Sequence, residues 1–113
     1  MINITIYKTK EHGYKGFDVE GHAGFDETGN DIVCAAVSIL VINTIKSIER
    51  LTNDKVNLVE DEKEGVVRLR FTDKASDDAS ILIDSMVYGL QDIEDDETNS
   101  NINSYIDITF EEV

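Results

Sequence analysis

His22 and Cys34 stand at the two sides of a change in periodicity. Before His22 the residues alternate as in a strand; around and beyond Cys34 apolar residues recur at helical spacing. Gly24 and Gly29 punctuate the stretch between them. A strand–loop–helix junction of this kind brings an imidazole to a thiol that is distant in sequence. Gly29-Asn30-Asp31 reads as a helix start, with a side-chain oxygen of Asn30 or Asp31 as its cap. With Asp31 as the cap, Cys34 is the third helical residue, inside the first turn. The unpaired N–H groups and the positive dipole end there favour a thiolate. A neighbouring imidazole can take the thiol proton. Thiol, base and helix end are the minimum apparatus of a cysteine nucleophile.

Other groups near the junction carry two readings each. Asp31 either orients His22 or only caps the helix. Ser38 lies four residues after Cys34, hence on the same helix face. Its hydroxyl either supports the thiolate or bonds back to a helix carbonyl. Oxyanion donors are expected among backbone N–H groups at the helix start, that of Cys34 included. Phe25-Asp26-Glu27-Thr28 is bracketed by Gly24 and Gly29, which suits a flap closing over a peptide or an ordinary surface loop. Taken singly, Cys34 is also compatible with a small buried hydrophobe, and His22 with a strand-end histidine bonded to a carbonyl. The spacing of His22, Asp26, Glu27, Asp31 and Cys34 matches no zinc pattern, so no metal and no cofactor is expected.

The whole chain limits the function classes. Its 113 residues suit one domain, residues 1–113, with a single core. An apolar content of 41% argues against disorder of the whole chain. Ten basic against 24 acidic residues give a formal charge of −14. That balance argues against direct nucleic-acid binding, which needs clustered Lys and Arg. It permits attraction of a basic partner, or serves only solubility. A lone cysteine cannot close an intrachain disulfide, which fits a reducing cytoplasm. Met1 to Ile6 lacks the basic region and long apolar core of a secretory signal. The mostly apolar run from Ile32 to Ile42 is short of the roughly 20 residues needed to cross a bilayer. A soluble cytoplasmic protein with no membrane attachment is expected.

The elements that must position the pair follow from periodicity. Residues 2–9 alternate, with Ile2, Ile4 and Ile6 on one face. Glu11-His12-Gly13 is a turn with His12 exposed, and residues 14–22 form the second strand of a hairpin. There Lys15, Phe17 and Val19 face opposite to Tyr14, Gly16 and Asp18. From Ile32 to about Leu51 the pattern is helical, with Val33, Val37, Leu40, Val41, Thr44, Ile48 and Leu51 as the stripe. Ile32, Ile39, Ile42 and Ile45 add apolar surface beyond it, so this helix needs a second cover, another element or a second subunit. Lys55–Glu60 and Gly65–Thr72 form another hairpin, with Arg68 and Arg70 facing out. Ser76 caps a second helix, whose stripe runs from Ala79 to Ile93. Gly89 within it costs about 1 kcal/mol against alanine, which points to a packing reason. Asp92 to Asn101 reads as a frayed end and loop, and Tyr105–Glu111 as the last strand. The order is ββαββαβ: an α+β fold with a mainly antiparallel sheet packed with two helices.

Gly21-His22-Ala23, followed by Asp31-Ile32-Val33-Cys34-Ala35-Ala36-Val37-Ser38, resembles the ribosomal-processing cysteine protease (Prp) family. The resemblance extends over nearly the whole chain. It implies a cysteine endopeptidase that removes the N-terminal extension of large-subunit ribosomal protein L-twenty-seven. It places the catalytic pair on His22 and Cys34, implies that the protein forms a homodimer, and makes a ribosomal protein precursor the peptide substrate. Two rivals remain from the residues alone. One is a non-catalytic acidic assembly factor binding a basic ribosomal protein, which needs neither Cys34 nor His22. The other is a thiol redox sensor, which a single cysteine serves poorly.

Overall fold

A computed structural model describes residues 2–21, 30–99 and 106–113. The chain runs β1 (Ile2–Lys8), β2 (Tyr14–Glu20), α1 (Asn30–Leu51), β3 (Val56–Asp61), β4 (Val66–Phe71), α2 (Asp77–Asn99) and β5 (Ile106–Glu112). This is the expected ββαββαβ order. The strands form one sheet in the order β3-β4-β2-β1-β5. Pairs β1–β2, β2–β4 and β3–β4 are antiparallel, and β1–β5 is parallel.

Strand periodicity decides the core. Successive side chains point to opposite faces, so Ile2, Ile4 and Ile6 share one face and all three are buried. In register beside them stand Phe17 and Val19 of β2 and Ile106 of β5. Val37, Val41, Ile45 and Ile48 of α1 and Ala79, Ile83, Met86 and Leu90 of α2 join the same core. The two helices thus cover one face of the sheet.

The other face is polar, and it organises itself around Asp18. Although neither α1 nor α2 covers it, Asp18 is only 9% exposed. Arg70 Nη1 lies 2.8 Å from its Oδ1, and the Tyr7 hydroxyl donates to its Oδ2 at 3.0 Å. Arg70 also stacks its guanidinium 4.2 Å from the Tyr7 ring centroid. Burial, then the Asp18 carboxylate, push the Tyr7 phenol above its usual range. Arg68 extends the network to Glu20 at 2.9 Å. The outward placement of Arg68 and Arg70 expected from alternation therefore holds.

Alternation fails at one point, and a bulge is the reason. The β1–β2 register shifts between Tyr7 and Lys8: Tyr7 pairs with Gly16, but Lys8 pairs with Tyr14. The extra residue inverts the facing of Tyr14 relative to Gly16 and Asp18. Tyr14 is consequently buried in the core and donates its hydroxyl to Asp84 of α2. Gly16 at the bulge has φ 157° and lies against β4; a Cβ there would sit 2.0 Å from the Leu69 carbonyl oxygen. The turn before the bulge holds exposed His12 at φ 68°, closed by the Thr9 N–H donating to the Gly13 carbonyl at 2.8 Å.

Both helices depart from their sequence boundaries. α1 begins at Asn30 and α2 continues to Asn99, beyond the frayed end expected from Asp92. Ile93 still packs on the core, and no proline or glycine interrupts residues 90–99, so the helix propagates. Ser76 caps α2 as expected: its Oγ accepts the Ala79 N–H at 3.1 Å. Asp54, from the end of the α1–β3 connection, accepts both the Ser76 hydroxyl at 2.6 Å and the Ser76 N–H at 2.8 Å.

α1 carries more apolar surface than it buries. Ile45, assigned off the stripe, is in fact buried, whereas Leu51 at the stripe's end is exposed. Ile32 and Ile39 are 74% and 69% exposed, and Ile42 is 48% exposed. The segment Ile32–Leu51 is long and apolar enough to cross a membrane by length and composition. Here its Val37–Val41–Ile45–Ile48 stripe is committed to the sheet.

Candidate active site

The C-terminal end of β2 brings the chain to one end of the sheet. Gly21 follows Glu20 with φ 89°, and its N–H donates to the Gly65 carbonyl at 3.0 Å. Gly65, itself at φ 66°, precedes β4. Two left-handed glycines thus tie the exit of β2 to the start of β4; a side chain at either would be strained there. His22 is the next residue. It lies outside the described residues, as do Gly24, Phe25 and Gly29.

The helix that receives the chain is described from Asn30. Since the backbone is already helical at that residue, Asp31 is the second helical residue and not the cap. Its side chain lies outside the described residues. An acid is favoured by the dipole in the first turn as well as at the cap, which is why residue type did not separate the two positions. Cys34 becomes the fifth helical residue instead of the third. That is beyond the N–H groups that a helix leaves without an internal partner. Oxyanion donors are therefore better sought earlier, among the first residues of α1 and the chain before it.

Cys34 is half-buried, and its side chain packs against the core cluster. Ser38 is half-buried one turn on, so the two residues lie on one side of α1. Beyond Ser38 the same side carries Ile42 and Ile45, at successive helical spacings. These residues border a groove of about 110 Å³ between α1 and the β3–β4 hairpin. From the helix it takes Val37, Ser38, Val41, Ile42 and Ile45; from the sheet it takes Val19, Val66 and Val67. Its remaining side is acidic: Glu60, Asp61 and Glu62. Sequence reasoning missed this groove. Glu60 read only as a strand end and Asp61-Glu62 as the hairpin turn after it, and nothing in a linear pattern sets that end of the hairpin beside α1.

A family model described as cysteine protease Prp matches residues 1–103. The chain belongs to this family. It is 32% identical over 102 residues to the ribosomal processing cysteine protease Prp of Staphylococcus aureus, covering 90% of this chain and 95% of that one. It superposes with a TM-score of 0.87 on the crystal structure of an essential ribosomal processing protease Prp from S. aureus in complex with a substrate peptide. That match has 28% identity over 98% of this chain and 100% of the other. A second S. aureus Prp structure holds a covalently linked product peptide; it matches with a TM-score of 0.82 and 30% identity over 98% of this chain and all of that one. The fold expected from periodicity is therefore that of the Prp family, and the activity class of that family is cysteine proteolysis.

Proposed function

We propose that this Prp-family protein is a cysteine endopeptidase that removes the N-terminal extension of large-subunit ribosomal protein L-twenty-seven, with Cys34 as nucleophile and His22 as its base. The observation that carries the reading is the placement of Cys34. It is half-buried in the first turns of α1, on the same side as Ser38 and in line with the groove. A cysteine that merely filled the core would not need that alignment with an open cavity.

The chemistry follows from the residue types. His22 takes the thiol proton, and the Cys34 sulfur attacks the scissile carbonyl carbon. The tetrahedral oxyanion is stabilised by backbone N–H groups at the start of α1. Collapse breaks the C–N bond; imidazolium returns the proton to the leaving amine, and a thioester links Cys34 to the N-terminal fragment. Water, deprotonated by His22, attacks the thioester carbonyl, releases the acid and regenerates the thiol. Asp31 orients His22, the Ser38 hydroxyl supports the thiolate, and residues 24–29 close over the bound peptide.

The protein works in the cytoplasm as a homodimer, and it engages a protein substrate without contacting nucleic acid. The formal charge of −14 supports attraction of a basic substrate. For the dimer, Ile39 and Ile32 supply an exposed apolar surface on α1, while Ile42 faces the groove. The test is direct. The precursor is mixed with wild-type protein and the products are weighed by mass spectrometry. One defined cut is expected; an intact precursor after long incubation with folded protein would remove the proposal. Binding without cutting would favour the acidic assembly factor instead.

A further inference from the structure

We infer that the groove between α1 and the β3–β4 hairpin is a specificity subsite for an apolar substrate side chain with a basic residue next to it. The inference rests on the protease reading for its connection to the scissile bond, and on the groove itself for its chemistry.

Three observations carry it. The first is alignment: Cys34, Ser38, Ile42 and Ile45 follow one side of α1, and the last three border the cavity. At 1.5 Å per residue, Ser38 and Ile45 lie about 6 and 16 Å along the axis from Cys34. An extended peptide advances about 3.4 Å per residue. A substrate held at Cys34 therefore places a side chain in the groove about two to five residues from the cut.

The second is composition. Val19, Val37, Val41, Ile45 and Val67 give the cavity an apolar lining, and its volume of about 110 Å³ is room for about four waters at roughly 30 Å³ each. Water gains few partners from such a lining, and an apolar side chain displaces it favourably. Ile42, 48% exposed beside the cavity, is apolar surface that the fold itself leaves uncovered.

The third is charge. Glu60, Asp61 and Glu62 make one side of the cavity acidic, and the described residues bordering it include no Lys or Arg. Asp61 Oδ1 accepts the Glu64 N–H at 3.1 Å and so serves the turn. Glu60 and Glu62 are exposed and available to a partner. Apolar lining beside an acidic edge is complementary to an apolar–basic pair, and disfavours an acidic neighbour by like-charge repulsion.

The experiment separates this subsite from the protease reading. The Cys34→Ala protein, which binds without turnover, is immobilised and exposed to a degenerate octapeptide library. Retained peptides are sequenced by mass spectrometry. The expected result is enrichment of Leu, Ile, Met or Phe adjacent to Lys or Arg. Adding Ile42→Asp should weaken binding of an enriched peptide about tenfold or more and remove the apolar preference. Adding Glu60→Gln with Glu62→Gln should weaken it about three- to fivefold at low salt, less at high salt, and remove only the basic preference. All three positions are exposed, and circular dichroism checks that the variants fold. No enrichment, or enrichment that all variants share, overturns the subsite. Undiminished cleavage of the precursor by Ile42→Asp and by Glu60→Gln with Glu62→Gln, each made with Cys34 intact, would overturn the subsite while leaving the protease reading standing. Groove-dependent binding by a protein that cuts nothing would do the reverse.

Discussion

Leu40 of α1 lies directly over Gly89 of α2: a Cβ added to the glycine would meet Leu40 Cδ1 at 3.0 Å and Cδ2 at 3.1 Å. The interior glycine has its packing reason in that contact. Alanine there gains helix propensity of up to about 1 kcal/mol but presses on Leu40. Since a side-chain terminus can shift, Gly89→Ala should stay within about 0.5 kcal/mol of wild type. Gly89→Val should lose about 1–3 kcal/mol, because branching adds bulk that a rotamer change cannot clear. Denaturant midpoints check both; equal stability of wild type and Gly89→Val would mean the helices separate at no cost.

Cys34→Ala should abolish precursor cleavage, by at least about a thousandfold, with the fold intact. Alanine suits a helical position, and only the sulfur supplies a nucleophile. His22→Ala should be of comparable severity. Timed cleavage assays beside circular dichroism measure both; near-wild-type turnover in either would move the chemistry to another residue.

Asp54 ties the end of α1 to the start of α2, and its carboxyl answers to pH. Burial alone would push it up, but the Ser76 hydroxyl and amide and the Thr52 hydroxyl outweigh that and hold it below its ordinary value. A carboxyl lowered on folding stabilises the fold above its unfolded value, near about 3.9, and the contribution fades as pH falls through the folded value. Asp54→Ala should therefore cost about 1 kcal/mol at pH 7, in line with loss of a cap partner. The gap to wild type should narrow below about pH 4. Thermal melts across pH 2.5–7, taken as about that range, read this; a constant gap would assign Asp54 no ionic role.

Tyr14 sets the opposite limit. Burial, then the hydrogen bond to Asp84 and that carboxylate's charge, raise its hydroxyl well above the ordinary value. A phenol raised on folding contributes fully below its unfolded value near about 10 and progressively less as pH climbs beyond it. Tyr14→Phe should be about 1 kcal/mol less stable at neutral pH. Above about pH 10 wild type should lose stability more steeply than the variant. Parallel urea midpoints at all pH values would contradict the assignment.

Ile39 is the most direct test of assembly. With the side chain 69% exposed, aspartate there should leave the monomer's fold unchanged. It should halve the mass found by light scattering if two copies meet on α1. A wild-type monomer at micromolar concentration would refute the dimer outright.

Much of the fold was legible because period fixes facing within an element. Ile2, Ile4 and Ile6 could share only one face, Ser76 could cap from its own side chain, and Arg68 and Arg70 had to leave the core together. The change from strand to helix between Glu20 and Asn30 was legible for the same local reason, since one period gives way to the other there. What the sequence could not decide was anything set by placement between elements. Tyr14 went to the core because a bulge inverted its strand, and a bulge is a matter of register with β1. Ile45 was buried and Ile42 left open beside a cavity because the sheet approaches α1 from one direction only, and no helical period states that direction. Asp54 met Ser76 across 22 residues. The groove draws on residues 19, 37–45 and 60–67, which are neighbours only because β4 lies between β3 and β2 and the hairpin carries its acidic turn to the side of α1. Local spacing determined which residues could do chemistry; chain crossing in three dimensions determined what stands beside them.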